Sequence, residues 1–103
     1  MSAAYLVFYE GRSSDSDAFV RYYLEHHVPI IWTWPGIRNV EVARGVDGGD
    51  FALIARFTFD SLDDLRLAIN SEERATARAD MANFPPFEGV VRHQAVELLE
   101  PSR

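Results

Sequence analysis

Two adjacent histidines ahead of a proline are the residues of this chain best suited to chemistry. His26 and His27 precede Pro29, and Tyr23 lies four residues before His27. Histidine is the only side chain whose ordinary pKa lies near neutrality, so it can serve as either an acid or a base. On a helix, residues four apart lie on one face, which places Tyr23 and His27 together on an apolar stripe. This spacing suits proton transfer by His27 with Tyr23 as its hydrogen-bond partner.

The same spacing is compatible with a purely structural histidine. A buried neutral imidazole bonded to a backbone carbonyl is the commoner arrangement, and spacing alone favours it. His26 lies about 100° around the helix from His27, so it is expected near the surface beside Tyr22. Two adjacent histidines cannot face one pocket, and no third ligand lies at a suitable spacing. We therefore expect no metal site.

Two tryptophans and a proline-rich aromatic loop supply candidate walls for a pocket. Trp32 and Trp34 can hold a flat organic molecule or simply pack at the end of a sheet, and the sequence does not distinguish these uses. Phe84 lies in the segment Phe84-Pro85-Pro86-Phe87, which either caps a pocket or only joins a helix to a strand. Asp80 is placed to orient a histidine, although most helix aspartates are solvated. Trp32 and Phe84 are the predicted lining residues of this group.

Two further candidates lie on predicted strands. Arg56 interrupts an apolar strand, and an ion pair with Glu41, diagonal to it across a hairpin, is favoured over binding of a ligand anion. His93 shares a strand face with Val91 and Ala95. It either faces His27 across a pocket or lies at a sheet edge. Both Arg56 and His93 are retained as candidate substrate-binding residues.

The composition limits the classes of function. The 103 residues suffice for one domain, residues 1–103, and a content of 48% hydrophobic residues indicates a folded chain. The chain has no cysteine and no lysine, which excludes disulfides, thiolate chemistry and Schiff bases. A net charge of −6 argues against nucleic acid as a partner. No apolar run is long enough to span a bilayer. The absence of cysteine fits a cytoplasmic protein, and because the sequence has no Gly-rich phosphate loop, we expect that it uses no cofactor.

Hydrophobic periodicity predicts four strands and two helices joined by short connections, with a further polar helical stretch after the second helix. The first helix is expected to kink near Glu25, because Pro29 lacks a backbone donor. Gly11 is expected to end the first strand, and Pro35-Gly36 the first helix. Strands are predicted over residues 3–9, 37–44, 51–59 and 88–99, and helical segments over residues 15–31, 61–69 and 71–82.

The order strand, helix, strand, strand, helix, strand predicts an α+β, ferredoxin-like βαββαβ fold. Its four-stranded antiparallel sheet carries two helices on one face, with the first and third strands in the centre. Those two strands are apolar on both faces, in agreement with that position. The face without helices then needs a cover, because a large apolar patch is uncommon on a monomer. We predict a homodimer packed through this sheet face.

Several segments together resemble the EthD family of the dimeric α+β barrel superfamily. The run Tyr22 to Pro29 followed by Trp34-Pro35-Gly36-Ile37 is similar to that family's helix with His-x-Pro and its Pro-Gly turn. The segments 55–64 and 68–72 resemble its third strand and second helix, and 80–84 its Asp-x-x-x-Phe ending. The resemblance implies a dimeric α+β barrel. It also selects His27 as the family histidine, because His27 opens the His-x-Pro motif.

What the resemblance implies about activity stays open between three possibilities. The first is a protein of degradation or secondary metabolism that binds a small hydrophobic or aromatic molecule, with cofactor-free isomerase, cyclase or dehydratase activity. The second is a cofactor-independent monooxygenase of the same superfamily. The third is a non-catalytic ligand-binding or accessory protein. In the catalytic cases, His27 is expected to move the proton and Tyr23 to assist it.

Overall fold

Four antiparallel strands form one sheet in the order β2-β3-β1-β4 in the computed structural model, which describes residues 1–101. The strands are β1 (Ala3–Ser13), β2 (Ile37–Arg44), β3 (Phe51–Phe59) and β4 (Phe87–Glu97). The helical segments are α1 (Ser16–Tyr22), a π-helical turn (Tyr23–His27), α2 (Val28–Ile31), α3 (Leu62–Ile69), α4 (Glu72–Asp80) and a 3-10 turn (Met81–Asn83). The predicted ferredoxin-like α+β fold is confirmed, with β1 and β3 in the centre.

The side chains of alternate strand residues divide the sheet into two faces. One face packs beneath the helical segments. Its residues on β1 and β3 are Ala3, Tyr5, Val7, Tyr9, Leu53, Ala55, Phe57 and Phe59, all buried. The other face, which we call the open face, carries Leu6, Phe8, Ile54 and Thr58, all only half-buried.

The strand β1 continues past Gly11, where the sequence predicted its end. Gly11 pairs with Gly89 of β4, and their φ angles are 142° and 148°. A Cβ atom on either glycine would overlap a backbone carbonyl oxygen of the facing strand. Because both positions are glycine, the two strands can approach and the ladder extends to Ser13. The strand β4 ends at Glu97, two residues earlier than predicted.

The loop between β2 and β3 sets the register of their pairing. Arg44 pairs with Leu53 and Glu41 pairs directly with Arg56, so the loop is centred between Gly48 and Gly49. Arg56 is therefore opposite Glu41 rather than diagonal to it, and its Nη2 atom donates to the carboxylate at 2.6 Å. The predicted ion pair is present.

The predicted kink in the first helical segment takes the form of the π-helical turn. The N–H of Val28 donates to the carbonyl of Tyr23, five residues earlier. Pro29 follows directly, so its lack of a donor and its bulky ring explain why regular α-helix gives way here. In an ideal α-helix, a step of four residues overshoots one turn by about 40°. The wider π-helical turn cancels part of that drift.

The consequence is a buried line of residues spaced strictly by four. Phe19, Tyr23, His27 and Ile31 are all buried, whereas Leu24 is 49% exposed. Helical periodicity alone predicts Leu24 in the same apolar stripe as these residues, and its exposure shows that this prediction is wrong. Both Tyr23 and His27 consequently face the sheet.

None of the helices within residues 1–101 combines the length and apolar character needed to cross a bilayer.

Candidate functional site

A cavity of about 300 Å³ lies between the helix-covered face of the sheet and the helical segments. Ligand pockets in proteins usually range from about 300 to 1,000 Å³, so this cavity suits a compact molecule. The exposed members of its lining, Arg78 and His93, mark its mouth. The lining is formed by Tyr5, Val7, Tyr9, Tyr23, His27, Ile31, Trp34, Phe57, Arg74, Ala77, Arg78, Met81, Val91 and His93.

His27 makes the main polar contact at the wall of this cavity. Its Nδ1 atom lies 2.9 Å from Oδ2 of Asp80, and the two side chains are 6% and 11% exposed. Because an ionised carboxylate can only accept, Nδ1 must carry the proton of this hydrogen bond. The other ring nitrogen, Nε2, has no hydrogen-bond partner within residues 1–101 and is available to a molecule in the cavity.

Asp80 is itself held by two more donors. The Tyr22 hydroxyl donates to Oδ1 at 2.7 Å, and the Asn83 side-chain amide donates to the same oxygen at 3.2 Å. Burial alone would raise the pKa of Asp80. The hydrogen bonds from Tyr22, His27 and Asn83 outweigh burial, and the pKa of Asp80 lies below its ordinary value. The carboxylate is therefore ionised at neutral pH.

The imidazole of His27 is neutral under the same conditions. Burial lowers its pKa, and the neighbouring carboxylate of Asp80 only partly offsets that effect, so the pKa lies below the ordinary 6.5. A neutral imidazole with Nδ1 bonded to a carboxylate and Nε2 free is the form that acts as a general base. The arrangement can accept a proton from a bound molecule and stabilise the resulting imidazolium.

Tyr23 lies beside His27 but is not its hydrogen-bond partner, contrary to the sequence-based expectation. The two rings are 5.0 Å apart and tilted by 44°. The hydrogen bond of His27 goes to Asp80 instead. The Tyr23 hydroxyl is buried without a hydrogen-bond partner within the described chain. Burial first, and then the nearby Tyr9 hydroxyl, raise the pKa of Tyr23 well above its ordinary value.

Of the two tryptophans, Trp34 lines the cavity and Trp32 does not. Trp32 is 47% exposed, because it caps the end of α2 on the solvent side, whereas Trp34 is 5% exposed. The prediction that Trp32 lines the pocket is therefore wrong for this cavity. Phe84 lies behind the imidazole, with its ring centre 4.8 Å from that of His27 and nearly perpendicular to it. Phe84 supports His27 rather than forming the cavity surface.

The two strand candidates lie on opposite faces of the sheet. His93 faces the cavity and stacks on Tyr5, with the ring centres 5.5 Å apart. Burial lowers the pKa of His93, and the charges of Arg74 and Arg78 lower it further. Arg56 lies on the open face in its ion pair with Glu41, so the structure does not bring it to the cavity.

Sequence reasoning did not select the two arginines of the lining. Arg74, Ala77, Arg78 and Met81 lie on one face of α4 and its 3-10 extension, at spacings of three and four residues. The segment was interpreted only as a polar helix. The helical spacing of its few apolar residues with two arginines was the available signal, because Ala77 is buried between them. Within residues 1–101, no group of three or more His, Cys, Asp or Glu side chains is placed to hold a metal ion.

The element order and the four-stranded sheet define a class of small, ferredoxin-like α+β proteins. The chain matches the model of the EthD domain over residues 12–85. It therefore belongs to the EthD family. No curated protein matches it significantly.

Solved structures show the same fold at low identity. An EthD family protein (ethyl tert-butyl ether d) from Bacillus halodurans C-125 is 23% identical with a TM-score of 0.82, over 96% of this chain and 100% of that one. A dimeric protein of unknown function and ferredoxin-like fold from Bacteroides fragilis is 17% identical with a TM-score of 0.69, over 94% and 96%. SnoaB, a cofactor-independent oxygenase from Streptomyces nogalater, is 10% identical with a TM-score of 0.70, over 97% and 95%.

Three hydrogen-bond donors surround the Asp80 carboxylate, so a substitution that removes its charge should destabilise the folded protein. Asp80→Asn replaces a charged acceptor by a neutral one, and we expect a loss of about 1–3 kcal/mol in the free energy of unfolding, measured by urea denaturation at neutral pH. Since the folded-state pKa of Asp80 lies below the ordinary 3.8, the ionised group stabilises the fold above that pH. The difference between wild type and variant should therefore shrink as the pH falls below 3.8.

A matched control is available on the neighbouring helix. Asp63 has an 89% exposed side chain and pairs only with Arg66, three residues later. Asp63→Asn should change the free energy of unfolding by less than about 0.5 kcal/mol. Equal effects of the two substitutions would contradict a structural role for the Asp80 contacts.

Proposed function

We propose that this protein binds a small hydrophobic or aromatic molecule in the cavity and moves a proton on it through His27. The observation that carries the proposal is the 2.9 Å contact of His27 Nδ1 with Asp80, which leaves Nε2 free beside a cavity lined by aromatic rings. A compact cavity with aromatic walls and convergent polar groups is typical of ligand sites. The polar groups that are present include a base and several hydroxyls.

The proposed chemistry needs no cofactor. Nε2 of His27 takes a proton from the bound molecule, and the carboxylate of Asp80 stabilises the imidazolium that forms. Return of the proton from the imidazolium to another carbon gives an isomerisation. Attack of the carbanion on a carbonyl carbon of the same molecule, with the proton passing to the alkoxide that forms, gives a cyclisation. Departure of a β-hydroxyl group, which takes the proton and leaves as water, gives a dehydration. The neutral Tyr23 hydroxyl, which has no partner within residues 1–101, is suited to donate a hydrogen bond to an oxygen of the molecule. Such steps belong to degradation or secondary metabolism.

A second candidate is a cofactor-independent monooxygenase. The fold is similar to that of SnoaB, and the Trp34 indole forms one wall of the cavity next to Tyr5 and Phe57. In this case, a carbanion formed by proton removal reacts with oxygen instead of being reprotonated. Consumption of oxygen separates this candidate from the first.

The adjacent histidines provide a matched pair of variants. His27→Ala should lower turnover about 10²- to 10⁴-fold, the usual contribution of a general base, while retaining ligand binding. His26 is exposed and stacks only on Tyr22, so His26→Ala should keep nearly full turnover. The assay is a panel of small aromatic and unsaturated substrates, followed by product analysis and an oxygen electrode. In the wild type, the rate should rise with pH and reach half of its maximum below pH 6.5, because burial lowers the pKa of His27 from that ordinary value.

Three outcomes of this assay decide between the candidates. Oxygen uptake that depends on His27 favours the monooxygenase. Turnover that persists in His27→Ala removes the proposed base. Binding of ligands without any turnover supports the non-catalytic alternative, in which the protein is an accessory.

The open face supports a second part of the proposal, a homodimer. Leu6, Phe8 and Ile54 lie half-buried in its middle, and the ion pairs Arg56–Glu41 and Arg92–Glu10 lie on the same face. An apolar centre rimmed by charged groups is typical of an interface. The solved relative from Bacteroides fragilis is dimeric. We place this dimer in the cytoplasm, in keeping with the absence of cysteine.

A charge in the middle of the open face should separate the subunits. Phe8→Glu puts two like charges into the proposed interface, so we expect a dimer for the wild type and a monomer for the variant in sedimentation velocity at micromolar concentration. Leu67→Glu is the control, since Leu67 is 69% exposed on α3. A wild-type protein that sediments as a folded monomer would exclude the proposed dimer.

A further inference from the structure

Arg74 and Arg78 differ from the other arginines of the described chain by their position at the cavity. They lie four residues apart on α4, and both line the cavity near its mouth. Neither forms an ion pair within residues 1–101. Carboxylate partners are found for Arg38, Arg44, Arg56, Arg66 and Arg92. Arg12 and Arg21 also form no ion pair within these residues, but neither of them lines the cavity. In a chain with a net charge of −6, two such cations at one opening call for an explanation.

The groups around these arginines do not neutralise them. Arg74 donates from Nη2 to the Tyr5 hydroxyl at 3.2 Å, which is a neutral partner. His93 stacks on Tyr5 and is near enough to both guanidinium groups for their charges to disfavour its protonation. Asp80 lies on the same helix, but its carboxylate already accepts from Tyr22, His27 and Asn83. The mouth of the cavity therefore carries two guanidinium groups that have no carboxylate bonded to them within residues 1–101.

The interior of the cavity offers donors that lack acceptors. Trp34 Nε1 and the Tyr23 hydroxyl are buried without hydrogen-bond partners within the described residues, and both side chains line the cavity. An indole N–H can only donate, so Trp34 requires an acceptor atom. Buried donors are rarely left unpaired in folded proteins. A bound molecule with an oxygen at its inner end would supply that acceptor.

We propose that the molecule bound in this cavity is an aromatic or conjugated carboxylate, with its carboxylate held at the mouth by Arg74 and Arg78. The ring system then lies against the aromatic walls, and an oxygen substituent at the far end accepts from Trp34 or Tyr23. Guanidinium groups bind planar carboxylates through paired, charge-assisted hydrogen bonds. This inference rests on the proposed ligand-binding function and adds the class of ligand.

The test compares an acid with its neutral analogue of the same shape. Binding of 2-naphthoate and 2-naphthamide is measured by isothermal titration calorimetry, with the quenching of tryptophan fluorescence as a second readout. We expect the wild type to bind 2-naphthoate at least about tenfold more tightly than 2-naphthamide, as charge-assisted hydrogen bonds require. Arg78→Gln and, separately, Arg74→Gln should reduce that ratio severalfold while leaving the affinity for 2-naphthamide nearly unchanged.

Arg66→Gln is the matched control, because Arg66 is an exposed helix arginine that pairs with Asp63 away from the cavity. It should keep the wild-type ratio. Equal affinity for acid and amide, absence of binding by both probes, or an unchanged ratio in both cavity variants would overturn the inference. His27→Ala, by contrast, should keep the preference for 2-naphthoate. Loss of turnover is thereby measured separately from loss of carboxylate recognition.

Discussion

The buried contact between His27 and Asp80 is the interaction on which the proposed chemistry depends. It joins two residues that are 53 positions apart, one on the π-helical turn and one at the end of α4. Burial lowers the pKa of the imidazole more than the carboxylate raises it, so the pair is a neutral base next to an ionised acceptor. Tyr22 and Asn83 hold the carboxylate in its ionised form. The imidazole is thereby fixed in one tautomer with one nitrogen facing the cavity.

The helix geometry and the sheet together hold this pair in place. Pro29 forces the chain out of regular α-helix, and the resulting π-helical turn keeps Tyr23 and His27 in line above the sheet. Phe84 packs edge-on against the imidazole from behind, which leaves the side towards the cavity open. The same helix α4 that provides Asp80 also provides Arg74 and Arg78 at the mouth. The helix α4 therefore positions both the carboxylate that orients His27 and the two arginines at the mouth.

Much of the fold could be predicted from the sequence because it depends on local periodicity. Successive positions of β1 and β3 are apolar, so both faces of these strands are apolar. This pattern fits two central strands of a sheet that has helices on one face and an apolar surface on the other. His27 was selected from its helical spacing and its His-x-Pro motif, and the structure places it at the cavity. The kink near Glu25 was also predicted, since it follows from the missing donor of Pro29.

The features that the sequence did not predict are contacts between segments that are distant along the chain. Asp80 was named as a possible orienting group, but only packing of α4 against the first helix makes it the partner of His27 in place of Tyr23. The choice between Trp32 and Trp34 depends on how the chain turns after α2. The spacing of Arg74 and Arg78 around Ala77 identifies one face of the helix, but it does not show which element that face packs against, so the two arginines were overlooked.

The protonation state of His27 is the most direct test of the central claim. In protein labelled with ¹⁵N at histidine, the ring nitrogens of His27 can be assigned by comparison with a His27→Gln variant. Above pH 6.5, the ordinary histidine pKa, we expect His27 to carry a proton on Nδ1 and none on Nε2. A proton on Nε2, alone or together with one on Nδ1, would contradict it.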